Sequence, residues 1–130
     1  MGMKYLWDTN IVIYFLQGQF SYEAEIFIDE TLKSFPPAIS VITEIELLCW
    51  NTTSENELKV LKEFIRRSEV IELTREIKDK TADIRRKNKA KLPDAIIAAT
   101  AITNNFTLLT NNVKDFCSVH DLVLLNPSNL

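Results

Sequence analysis

Short apolar runs alternate along the chain with longer stretches in which apolar residues recur at helical spacing. Lys4-Tyr5-Leu6-Trp7 reads as a strand, and residues 10–16 as a short helix directly after it. Over residues 22–32, Ala24, Ile28 and Leu32 fall on one stripe with Phe27 beside them, the period of a helix. Pro36-Pro37 breaks the chain, and Ala38-Ile39-Ser40-Val41 predicts a second strand. Thr43 is placed to cap a helix running through Glu46, Leu47 and Leu48. Ser54-Glu55-Asn56-Glu57 has the form of a capping box. The helix it opens repeats Leu58, Leu61, Phe64 and Ile65 and ends near Arg67. Val70-Ile71-Glu72-Leu73 predicts a third strand, after which Thr74 opens a charged helix with Ile77, Thr81 and Ile84 on one face. Pro93-Asp94 starts another, in which Ala95, Ala98, Ala99 and Ala101 permit close packing. Thr107-Leu108-Leu109-Thr110 and Leu122-Val123-Leu124-Leu125 complete the strands.

Apolar strands alternating with helices imply a mostly parallel sheet covered on both faces. With 130 residues, the expectation is one α/β domain over residues 1–130, with a central sheet of four to five strands. An apolar fraction of 46% and a charged fraction of 25% exclude intrinsic disorder and collagen-like or coiled-coil chains. Two cysteines are too few for a disulfide framework and point to a reducing compartment. The opening Met1-Gly2-Met3-Lys4-Tyr5-Leu6-Trp7-Asp8 lacks the order of a signal peptide. Residues 95–113, the longest charge-free stretch, are interrupted by Thr and Asn and do not read as a membrane span. A cytoplasmic protein without a membrane partner is expected.

The net charge of −3 is unevenly spread. Residues 59–91 carry twelve Lys/Arg against six Asp/Glu, a local balance of +6, leaving −9 elsewhere. Such asymmetry suits a polyanion on one side and a carboxylate cluster on another, although helices expose Lys and Arg in any case.

Ligands of open α/β sheets bind outside the carboxyl ends of the strands. Asp8 directly follows the first strand, Glu44 and Glu46 lie just beyond the second, Asp94 opens the helix before the fourth, and Asp115 follows it. Singly, each has an ordinary explanation: Asp8 as a turn residue, Asp94 as a helix cap, and Glu44 and Glu46 as first-turn acids favoured by the helix dipole. Together they place three or four carboxylates on one sheet edge. Repulsion among them is offset by protonation or by a divalent cation. Mg²⁺ takes oxygen ligands, and a pair of ions can clamp both oxygens of a phosphodiester displacement. His120 is the only histidine, which argues against zinc chemistry. Cys49, in an apolar helix, and Cys117, with only His120 nearby in sequence, make weak nucleophiles.

Four blocks carry a resemblance. Tyr5-Leu6-Trp7-Asp8-Thr9-Asn10 before an apolar helix, Ile39-Ser40-Val41-Ile42-Thr43-Glu44-Ile45-Glu46-Leu47, Leu92-Pro93-Asp94-Ala95-Ile96-Ile97-Ala98-Ala99-Thr100-Ala101 and Leu109-Thr110-Asn111-Asn112-Val113-Lys114-Asp115-Phe116 follow in order. In order and spacing they resemble the PIN-domain ribonucleases, in particular VapC-type toxins of toxin–antitoxin pairs. The resemblance implies an endoribonuclease dependent on Mg²⁺ or Mn²⁺, neutralised by a cognate antitoxin and paired as a homodimer. It implies Asp8 and Asp94 as metal ligands, with Glu46 and Asp115 completing the catalytic acids and orienting water. Thr9 and Thr110 would position waters or phosphate oxygens. Many relatives carry Asp where this chain has Asn112, so either Asn112 or Asp115 takes the fourth position. Arg85, Arg86 and Lys87 are candidates for holding the RNA backbone. Phe15, Phe20, Tyr22, Phe27 and Trp50 are more aromatics than a small core needs, and suggest a covered surface on the first helices.

Two other readings stay open on sequence alone. A haloacid-dehalogenase-like phosphatase also places Asp after its first strand, but needs a second Asp where this chain has Asn10. A non-catalytic binding module would use the same carboxylates only as helix caps.

Overall fold

The computed structural model describes residues 3–52 and 54–130. Met1 and Gly2, the start of the segment read as lacking a leader pattern, lie outside them. Each of the five strands forms, shorter than the run that announced it: β1 (Tyr5–Trp7), β2 (Ala38–Ser40), β3 (Glu69–Ile71), β4 (Thr107–Leu109) and β5 (Leu124–Leu125). They pair in parallel throughout, in the order β3-β2-β1-β4-β5. Between them run α1 (Thr9–Leu16), α2 (Tyr22–Ser34), α3 (Val41–Leu48), α4 (Glu55–Arg67), α5 (Arg75–Lys87), α6 (Leu92–Thr103) and the single turn α7 (Val113–Phe116).

Successive side chains of a strand point to opposite faces. Leu6, Ala38 and Leu108 join one core with Ile77 and Ile84 of α5 and Ala95, Ala98 and Ala99 of α6. Their neighbours Trp7, Ile39 and Leu109 join a second, with Ile11 and Val12 of α1, Ile28 of α2, Leu47 of α3 and Leu61 and Phe64 of α4. Both members of each pair are apolar because helices cover both faces. Each such Leu or Ile contributes roughly 1.5–3 kcal/mol by leaving water. No helix among the described residues is long and apolar enough to cross a membrane.

Several local expectations are corrected. Ser40, not Thr43, caps α3: its Oγ accepts from the Thr43 backbone N–H at 3.1 Å. The ladder with β3 ends at Ser40, so the helix starts at Val41, earlier than the apolar run suggested. Only half of the capping box at residue 54 forms. Ser54 Oγ accepts from the Glu57 N–H, but the Glu57 carboxylate accepts from the Thr52 hydroxyl at 2.5 Å, and Thr52 Oγ also takes the Ser54 N–H. Asp94 is not the cap of α6, which begins behind Lys91 with Pro93 in its first turn. Phe15, Phe20, Phe27 and Trp50 pack, partly buried, on the second core, leaving only Tyr22 of that group exposed. The aromatic count therefore does not by itself argue for a partner surface.

The order of the strands positions the site. The chain proceeds outward from β1 through β2 to β3, then crosses to β4 on the other side of β1. The reversal leaves a crevice at the carboxyl ends of β1 and β4, where ligands of open sheets bind.

Candidate active site

Asp8 stands at that crevice. As the N-cap of α1 it has extended backbone, and one carboxylate oxygen accepts from the Thr9 N–H at 2.9 Å. The other accepts from the Thr110 hydroxyl at 2.8 Å, and the Asp8 N–H donates to the Leu109 carbonyl at 2.9 Å. The end of β4 thus clamps the residue that follows β1, and Asp8 is only 5% exposed. Thr110 is itself wholly buried, and its oxygen also accepts from the Asn112 N–H at 2.9 Å.

Glu46 reaches the same place from α3. Its Oε1 accepts from the Thr9 hydroxyl at 2.6 Å. The Thr9 oxygen lies 3.0 Å from the Thr43 hydroxyl, which in turn lies 3.4 Å from that of Ser40. With the single Thr9 proton committed to the Glu46 oxygen, Thr43 is the partner left to donate to Thr9. Two fully buried hydroxyls therefore support the one that holds Glu46. Glu44, two positions away on a helix that turns about 100° per residue, faces elsewhere. It makes no side-chain hydrogen bond among the described residues.

Asp94, half-buried in the first turn of α6, and Asp115, in α7, line a cleft of about 200 Å³ with Lys89, Ala90, Lys91, Lys114 and Ser118. Burial pushes Asp8 up to about 6, against the lowering pull of its bonds from Thr110 and Thr9, with the charges of Asp94 and Glu46 adding to the rise. Asp94 is raised too, by burial and then by Asp115 and Glu46, with Lys91 opposing. All four acids are thus close enough to be felt within one site. Each that is bonded has its own donor rather than a shared one, as like charges require.

The donor set suits a hard cation. It offers carboxylate and hydroxyl oxygen, whereas the His120 side chain is 96% exposed and lies 3.7 Å from Asp121. Cys49 and Cys117 are exposed, free thiols that make no bond to these carboxylates among the described residues. Among the described residues no three acids are already gathered into a closed ligand set. Mg²⁺ characteristically uses one or two carboxylates and keeps several waters, so an open site of this kind fits it.

The remaining sequence candidates divide. Thr9 and Thr110 lie in the site as donors to Glu46 and Asp8. Asn112 contributes its backbone N–H to Thr110, and its exposed side chain makes no hydrogen bond among the described residues, whereas the charge of Asp115 is felt at Asp94. The Arg85 guanidinium donates to the Ala90 carbonyl at 2.8 Å, and Arg86 and Lys87 pair with Asp83. Sequence reasoning assigned no site role to Ser40, Thr43, Lys89, Lys91 and Lys114. Ser40 and Thr43 were visible as the hydroxyls preceding Glu46; the lysines had no signal beyond a basic stretch and a neighbour of Asp115.

Residues 5–122 match the sequence model of the PIN domain, and the chain belongs to that family. The relatives it resembles include proteins of the VapC type. Ribonuclease VapC2 of Rickettsia felis is 30% identical over 133 aligned residues, spanning 95% of this chain and 98% of that protein. The crystal structure of VapBC2 from Rickettsia felis, bound to a DNA fragment from its promoter, superposes with a TM-score of 0.78 at 26% identity, covering 95% of this chain and 98% of that one. A toxin–antitoxin complex from Klebsiella pneumoniae gives 0.73 at 29% identity over the same shares.

Proposed function

We propose that this chain is a metal-dependent endoribonuclease that hydrolyses RNA phosphodiester bonds and serves as the toxin of a toxin–antitoxin pair. The observation that carries the reading is the grouping of acids near the crevice between β1 and β4: Asp8 buried just after β1, Glu46 held by the Thr9 hydroxyl, and the half-buried Asp94 sharing a cleft with Asp115. Asp8 and Asp94 would hold Mg²⁺ or Mn²⁺. Such an ion, when bound, neutralises charge on a phosphoryl oxygen and helps generate the nucleophile at neutral pH. Glu46, fixed by Thr9, and Asp115 complete the acidic pocket and orient the attacking water. Thr110 keeps Asp8 aimed into the crevice. The phosphatase reading lacks its second Asp, because Asn10 stands there.

A cognate antitoxin, a second copy of the chain and a cytoplasmic setting complete the proposal. Exposed Tyr22, Ile45, Leu48, Val60 and Leu92 supply apolar surface for such partners. The test is incubation of end-labelled RNA with the purified chain and Mg²⁺. Internal cleavage, abolished by EDTA and by Asp8→Asn or Asp94→Asn with the fold intact, is expected. Wild-type cleavage rates in either variant would overturn the site.

A further inference from the structure

We infer that Lys89, Lys91 and Lys114 form the track that holds the RNA backbone as it enters the acidic crevice, and that Arg86 and Lys87 do not. The inference deepens the reading of the chain as a ribonuclease and rests on it. A phosphate chain approaching four carboxylates is repelled unless fixed cations lie beside them. The cleft holding Asp94 and Asp115 has three cations in its wall, and they are these lysines. A second cleft, of about 410 Å³, adjoins it through the shared Lys89 and Ser118 and is lined further by Arg86, Lys87 and Asn88. Together the two clefts make a trough with Asp94 and Asp115 in one of its two parts.

Charge pairing separates the cations of this trough. Asp83 takes Arg86 and Lys87 within 3.7 and 3.1 Å, and Lys80 within 3.8 Å, so part of their charge is cancelled on their own helix. Lys89, Lys91 and Lys114 form no ion pair among the described residues, and Lys91 makes no side-chain capping bond at the start of α6. Their backbone is nonetheless held. Ala90 is 7% exposed in the first core, and its carbonyl accepts from Arg85, so Lys89 and Lys91 flank a pinned residue and are themselves exposed. Lys114 is likewise exposed beside the buried Phe116. Cations outside any ion pair and held on a fixed frame suit the phosphate contacts that position a nucleic acid.

Salt dependence of binding tests this. Each phosphate neutralised on a single strand contributes about 0.7 to the slope of log affinity against log salt. The probe is a short fluorescein-labelled oligouridylate, titrated by anisotropy in EDTA between about 50 and 200 mM KCl. For Lys89→Gln/Lys91→Gln/Lys114→Gln we expect the slope to fall by about 2, whereas Arg86→Gln/Lys87→Gln should lower it by less than about 0.7. All five side chains are exposed, and an unchanged melting curve will verify folding in both variants. Equal slopes in the triple variant and wild type, or a larger loss in the double variant, would overturn the track. So would a wild-type chain that binds no oligouridylate, or displacement of the RNA by oligoglutamate at equal concentration, which would assign the lysines to an acidic peptide. A chain that cleaves no RNA but loses salt-dependent binding in the triple variant would overturn the proposed activity and leave the track standing.

Discussion

Asp8→Asn should make the metal-free protein more stable above neutral pH and less stable in acid. In the native state burial and neighbouring carboxylates lift Asp8 from 3.8 to about 6. An acid whose folded pKa is raised carries no penalty below its unfolded value, and costs stability as pH rises through the folded one. The penalty therefore grows between pH 3.8 and about 6 and is complete above that range. A rise of this size corresponds to about 3 kcal/mol. Asparagine cannot ionise, so it escapes that cost, and it caps a helix as well as aspartate. One loss offsets the gain. The Thr110 hydroxyl donates to Asp8 Oδ2, the oxygen that becomes an amide nitrogen when the other remains on the Thr9 N–H. Thr110 then accepts from the amide, and its own proton is left unpaired in a buried place, at about 1 kcal/mol. The net expectation is about 2 kcal/mol of stabilisation at about pH 8, roughly 5–10 °C in melting temperature for a domain of this size. Near pH 4 the ionisation penalty is nearly gone, the unpaired hydroxyl remains, and the variant should melt slightly below wild type. Millimolar Mg²⁺ should restore the wild type's advantage at about pH 8, since a ligand bound by the native state adds stability in proportion to affinity. The assay is thermal denaturation followed by circular dichroism in EDTA across this pH range. A variant less stable than wild type at about pH 8 without metal, or a difference independent of pH, would refute the argument that burying this carboxylate is costly.

Glu46→Gln should lower RNA cleavage at least about tenfold, about 1.4 kcal/mol of transition-state stabilisation, while Glu44→Gln changes it less than about twofold. Parallel rates at saturating Mg²⁺ decide this, and the reverse ranking would mean that the hydrogen bond from Thr9 marks the wrong glutamate. The chain should also elute and scatter light as a dimer at tens of micromolar; a clean monomer mass would remove the homodimer from the proposal.

Period and spacing along the chain were enough to determine the alternation of strands and helices, because burial on both sheet faces imposes two-residue and 3.6-residue repeats that are local. They also pointed to Asp8 and Glu46 as candidates for one edge, since parallel strands all release the chain on the same side, and to Asp94 as a first-turn acid of the helix before β4. What remained out of reach were pairings between residues distant in sequence. Thr110 meets Asp8 from 102 positions away, and Thr9 meets Glu46 across 37. Only the placement of β4 beside β1, and the approach of α3 to α1, decides those bonds. The position of the cap on α3 depended likewise on where the ladder to β3 ends, which set Ser40 rather than Thr43 as the first acceptor. The basic stretch shows the limit most plainly. Sequence counts charges, but the fold spends Arg86 and Lys87 on Asp83 and leaves Lys89 and Lys91 beside the acids, because which cation is free is set by the ion pairs that packing allows.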